Sequence, residues 1–272
     1  MTLRLQQALS MLKPKEHIGV IPYITVGFPT VDDTLSVVPA LEKAGATVVE
    51  LGIPFSDPLA DGPTIQAASL HALQQGVTTD TCLEVCQTLR KRGLTIPILF
   101  MGYYNPILSY GIARFAKDAA EAGADGMIVP DLPPEEAGPL RAELSGHELS
   151  FITMLAPTST DERIALVCRN AEAFIYCVSV AGVTGARTEV PADLFGFLAR
   201  VRQHTTLPLA VGFGISERRH VETIGAYAEA VIVGSKLVSV VDSAPRAGRA
   251  SHAARLIAEL TGMVAGPTAE DK

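Results

Sequence analysis

The chain runs to 272 residues, 48% hydrophobic and 19% charged, which is apolar material for one large core and a size that α/β barrels reach as a single unit. Its 22 basic and 29 acidic residues sum to −7 with no Lys/Arg cluster, which argues against a nucleic-acid or anionic-membrane partner. Cys82, Cys86, Cys168 and Cys177 form no CxxC pair and have no histidine at metal-ligand spacing; they read as small buried thiols in a reducing, cytoplasmic setting, and no metal is expected.

Residues 1–9 mix polar and apolar residues at helical spacing, without the continuous apolar core of a signal peptide. No run approaches the ~18 apolar residues that would span a membrane. Short β-branched runs then recur at 19–25, 47–51, 96–101, 126–129, 150–155, 173–180, 207–211 and 230–233. They are nearly continuous in apolar character, as strands buried on both faces must be. Between them lie stretches with a 3.6-residue period at 34–44, 64–75, 79–92, 112–122, 135–144, 161–169 and 216–224, with Asp161 and Ser216 as caps and Gly45 and Gly123 as stops. Helical stretches also follow from Ser235 and from Ser251, and residues 265–272 read as a frayed tail. Eight strand–helix alternations predict a single-domain parallel (β/α)8 (TIM) barrel over 1–264. An open doubly wound sheet would have fewer strands and a GxGxxG turn after the first.

The interval between the second and third strands breaks the rhythm, with a loop at 52–62 and an extra helix before the expected one. Insertions at the carboxyl ends of barrel strands build active sites, so the face carrying Glu50 is the catalytic one. Glu50 ends an apolar run, where desolvation raises a carboxyl's pKa. Asp57 and Asp61 follow on a segment punctuated by Pro54, Pro58 and Pro63. Two carboxyls in unlike settings suit general acid–base chemistry. By pattern alone Asp57 is as good a candidate as Asp61. The bland readings are a structural carboxyl bridging two strands and an aspartate bonding its own turn.

Glycine-bearing turns at 181–187, 211–216 and 233–236 follow the last three strands. Glycine lets backbone approach an anion, and a helix start offers free N–H groups. Three such turns on one half of a barrel point to phosphate, held in this class after strands 7 and 8. His17, His71, His147, His204, His220 and His252 fall in no metal or triad pattern, and Ser56 lacks a nucleophile-elbow setting. Pro54, Phe55, Pro58 and Leu59 with Pro106, Ile107 and Leu108 make an apolar set on the loops, which reads either as ordinary loop anchoring or as a partner surface.

The run from Glu50 to Gln66, with Tyr104-Asn105-Pro106, Pro130-Asp131-Leu132-Pro133, Ser179, Gly182-Val183-Thr184-Gly185-Ala186-Arg187 and Gly212-Phe213-Gly214-Ile215, resembles the tryptophan synthase alpha chain family over essentially the whole chain. The resemblance implies a lyase that cleaves indole-3-glycerol phosphate to indole and glyceraldehyde 3-phosphate in an α2β2 complex. Indole would pass to a beta chain that carries pyridoxal phosphate, and the alpha chain would hold no cofactor and no metal. It also implies that Glu50 and Asp61 are catalytic and that Asp57 lies on the face toward the beta chain. Tyr176 would orient the glutamate and Tyr23 line the indole pocket. Thr184, in the loop to Arg187, would belong to a lid. Phe213 would take part in substrate binding, and Gly185, Gly214, Gly234 and Ser235 would hold the phosphate. The alternatives are a stand-alone indole-releasing lyase and a different phosphate-binding barrel. An aldolase with a Schiff-base lysine is disfavoured, since no strand candidate contains lysine.

Overall fold

The β-branched runs become eight parallel strands: β1 (Gly19–Thr25), β2 (Val49–Gly52), β3 (Ile98–Met101), β4 (Gly126–Ile128), β5 (Ser150–Leu155), β6 (Ile175–Val178), β7 (Leu209–Gly212) and β8 (Ala230–Val233). They pair in chain order and β8 returns to β1, closing a (β/α)8 barrel. The computed structural model describes residues 1–178, 192–212 and 214–263. Thr184, Gly185, Phe213 and the 265–272 tail lie outside the described residues.

Two shells of side chains hold the barrel. Ile21, Val48, Leu99, Ile128, Ile152 and Phe174 fill its interior, and Leu5, Leu9 and Leu12 from and just after α1 (Leu3–Ser10) join that same cluster. The N-terminal helix therefore plugs the end opposite the β–α loops. The outer faces of the strands pack against α2 (Val31–Lys43), α4 (Thr79–Lys91), α6 (Ile112–Ala122), α7 (Gly138–Gly146), α8 (Asp161–Asn170), α9 (Ala192–Arg202), α10 (Arg218–Gly225), α11 (Ser235–Ser243) and α12 (Arg249–Thr261). The extra helix after strand 2 is α3 (Pro63–Gln74), and a short α5 (Tyr104–Tyr110) follows β3.

Several boundaries differ from the periodicity, each for a local reason. β3 and β7 begin after Pro97 and Pro208, which lack an N–H and offer only carbonyls, to Val49 N at 2.9 Å and Ile175 N at 3.0 Å. Thr160, not Asp161, caps α8, accepting from Arg163 N. α10 starts two residues after Ser216, whose N–H donates to His220 Nδ1 at 3.4 Å. α7 starts at Gly138 because Pro133 and Pro134 set a turn in which Glu136 N and Ala137 N both bond Pro133 O. α2 starts earlier, at Val31, capped by Thr30. Neither α5 nor α9 was expected. The first is a single short piece holding Pro106 and stopped by Gly111 at φ 95. The second carries a legible stripe of Leu194, Phe197, Leu198 and Val201, interrupted by Gly196.

All four cysteines are free and buried. No helix among the described residues is long and apolar enough to cross a membrane.

Candidate active site

Parallel register sets the site. Glu50, second residue of β2, stands level with Tyr23 on β1 and Leu99 on β3. It is fully buried, and neither carboxyl oxygen has a hydrogen-bond partner among the described residues. Desolvation alone pushes its pKa up to about 8. A buried acid with empty oxygens is costly unless something else binds there. Glu50 lines a cavity of about 1090 Å³ that opens among the loops after the strands.

Asp61 reaches the same cavity from the β2–α3 loop. Its backbone closes a turn on Pro58 O at 3.0 Å, and Gln66 Nε2 ties Asp61 O at 2.8 Å from the first turn of α3. Burial raises its carboxyl to about 6, and the Tyr103 hydroxyl opposes that rise by donating to it. Tyr103 also accepts the Ala60 N–H at 2.9 Å and packs its ring 5.3 Å from Phe55. One phenol thus holds the loop at two adjacent residues. Nothing in the local sequence pattern announced Tyr103. Asp57 is exposed, takes a hydrogen bond from Ser56 and does not line the cavity.

Tyr23 and Tyr176 face the same space, and burial followed by the nearby carboxylates keeps both phenols protonated. The Tyr23 hydroxyl meets Thr25 Oγ1 at 3.2 Å and lies where a side chain at Gly52 would stand. The Tyr176 ring likewise occupies the space over Gly212, 2.9 Å from where a Cβ would sit. These glycines are required by the aromatic rings pressed on them. Tyr176 makes no hydrogen bond to Glu50, since both oxygens of that carboxyl are free.

At the far wall, Gly214 (φ 26) follows β7, and Gly234 precedes α11 as an N-cap without a side-chain cap. Both line the cavity with Ser235. No group of three or more His, Cys, Asp or Glu among the described residues is placed to hold a metal ion. Of the apolar loop set, Pro54, Pro58 and Ile107 are buried and anchor the loops, while Leu59 and Leu108 are 92% and 54% exposed.

Fold and site define an enzyme-type (β/α)8 barrel with a large cavity that pairs a desolvated acid with a second carboxyl at the carboxyl ends of the strands. The family model for the tryptophan synthase alpha chain matches residues 9–265. A tryptophan synthase alpha chain from Roseiflexus sp. (strain RS-1) is 49% identical over 259 residues, 95% of this chain and 99% of that one. The crystal structure of the tryptophan synthase alpha subunit from Legionella pneumophila str. Paris superposes with TM-score 0.88 at 36% identity, over 97% and 99% of the two chains. A chain from a structure described as the structural basis of mutual activation of the tryptophan synthase a2b2 complex from Pyrococcus furiosus superposes with TM-score 0.83 at 36% identity, over 93% and 100% of the two chains. The chain belongs to the tryptophan synthase alpha chain family, a family of lyase-type enzymes.

Proposed function

We propose that the chain cleaves indole-3-glycerol phosphate by a retro-aldol reaction, releasing indole and glyceraldehyde 3-phosphate. The observation that carries this is the fully buried, unpartnered Glu50 carboxyl on the wall of a cavity that Asp61 also lines. The cleavage needs a proton placed on the indole carbon that leaves, and a proton taken from the hydroxyl whose carbon becomes the aldehyde. Glu50, protonated near neutrality, donates the first. Its carboxylate then accepts the second, so the proton count closes with no other reagent. Asp61 accepts the indole N–H and stabilises the cationic indolenine. Tyr23 and Tyr176 flank the aromatic part. Gly214, Gly234 and Ser235 bind the phosphate through backbone N–H groups and the start of α11, joined by Gly185. Thr184 and Phe213 complete the substrate contacts.

In this reading the chain works in an α2β2 assembly with a beta chain, to which indole passes for condensation with L-serine in L-tryptophan synthesis. The chain itself carries no cofactor; pyridoxal phosphate belongs to the beta chain. The a2b2 assembly named for the Pyrococcus relative supports this, as do Leu59 and Leu108 standing uncovered on the same face. The test is indole formation by the purified chain, with and without a beta chain. Weak turnover alone and strong stimulation by the partner are expected, with losses on the order of 10²-fold or more in Glu50→Gln and Asp61→Asn. Rapid turnover without partner would mark a free-standing lyase. No indole under any condition would overturn the substrate.

A further inference from the structure

We propose that Lys236 is a further binding residue for the substrate's phosphate, a cation at the lip of the cavity that supplements the backbone groups at the start of α11. The inference rests on the phosphate-ester reading above. Lys236 is the second residue of α11 and lines the cavity beside Gly234 and Ser235. The first turn of a helix presents N–H groups with no intrahelical acceptor, and the dipole there opposes a positive side chain. α11 has no acidic residue in that turn to offset it.

Other cations in first turns show what this chain otherwise does. Arg4, Arg114, Arg163, Arg218, Arg219 and Arg249 each have a carboxylate between 2.6 and 3.4 Å away. Among the described residues Arg163 is the other cation lining the cavity, and Glu135 holds it. Lys236 alone of this set has no acid partner among the described residues. Lys236 is exposed, so its ammonium is free to meet an anion that enters the cavity. The empty Glu50 carboxyl in the same cavity independently marks that space as one a ligand fills. A phosphate dianion seated on the N–H groups of α11 would receive a charge-assisted bond from the Lys236 ammonium.

The test uses the full chain with its beta partner, comparing Lys236→Ala and Lys236→Arg with the wild type. Lys236→Ala should raise KM for indole-3-glycerol phosphate about fivefold with kcat altered less than twofold, and Lys236→Arg should restore most of the loss. Competition by inorganic phosphate should weaken by a similar factor, and the ionic-strength dependence of KM should flatten. Lys117→Ala, which removes the same charge from the outer face of α6, serves as the control for net charge. Unchanged KM and unchanged phosphate competition in Lys236→Ala, with an active wild type, would overturn the proposal and leave the lyase reading standing. If the wild type makes no indole, the substrate reading fails. Calorimetric titration of inorganic phosphate then decides the lysine, weaker binding in Lys236→Ala supporting it and equal binding overturning it.

Discussion

Glu50 is a carboxyl whose environment sets both its cost and its use. It titrates near 8 in the folded chain against 4.5 for a free carboxyl. The folded state therefore keeps a proton that the unfolded chain has lost, and stability falls as pH rises between those two values. Glu50→Gln removes that penalty. At pH 7 the variant should be more stable by on the order of 3 kcal/mol, and at pH 4 the two should coincide; equal denaturation midpoints at pH 7 would refute this. The proposed reaction draws on the same shifts. In it Asp61 is ionised to take the indole N–H and Glu50 is protonated at the start, so kcat/KM should follow a bell with limbs near 6 and 8. A profile flat across that range would remove the acid–base assignment. Tyr103→Phe deletes both the acceptor for Ala60 N–H and the donor to Asp61. A loss of roughly tenfold in kcat/KM is expected. Since the hydroxyl holds the Asp61 pKa down, its removal should move the acidic limb to higher pH. An unmoved limb would reduce Tyr103 to packing.

At the scale of elements, the strands meet through glycines that leave room for rings. Gly52→Ala would place a methyl against the Tyr23 ring, at a cost of ~1–3 kcal/mol and with a raised KM as the ring swings into the cavity. In a Tyr23→Ala background the same Gly52→Ala change should cost little in a urea titration; if it costs as much as in the wild type, the backbone of β2 is what the methyl disturbs. The helices show how much of this level can be read locally. Gly45 and Gly123 end α2 and α6 as their positive φ allows, at 91 and 89. α3 lies within one residue of its expected ends. α5 was not legible because seven residues with Pro106 and two tyrosines carry no usable period, and a neighbour, Asp131 Oδ1, takes its Tyr104 N–H at 2.9 Å. α7 and α10 begin late because a Pro133 carbonyl and a His220 ring compete for the backbone N–H groups.

For the whole molecule, the end away from the cavity is held by charge as well as by the α1 plug. Asp125, just before β4, is fully buried. It accepts from Arg90 Nη2 at 2.7 Å, Arg4 Nε at 3.1 Å, Ile98 N at 2.9 Å and the Thr2 hydroxyl. Three segments, the capped start of α1, the end of α4 and the start of β3, thus converge on one carboxylate. Asp125→Ala would leave Arg90 half-desolvated without its acid and free α1 from the barrel, costing ~3–5 kcal/mol in unfolding free energy. Turnover at low temperature should survive, because the cavity lies at the other end. Loss of activity without loss of stability would contradict this division of the barrel into a stability end and a chemical end.

Sequence by itself determined the barrel and Glu50's place in it. Apolar period, proline and glycine act on the nearest few residues, and eight such alternations admit few other closed folds. A glutamate ending a buried strand is conspicuous for the same local reason. Tertiary structure separates Asp57 from Asp61, which local pattern left equal and only the family resemblance told apart: both sit on one loop, and its folding against Tyr103 and Gln66 brings one residue to the cavity and leaves the other in solvent. It alone gathered Arg4, Arg90 and Asp125, and set Lys236 apart from the paired cations. Those outcomes depend on neighbours far along the chain, which no window of the sequence contains.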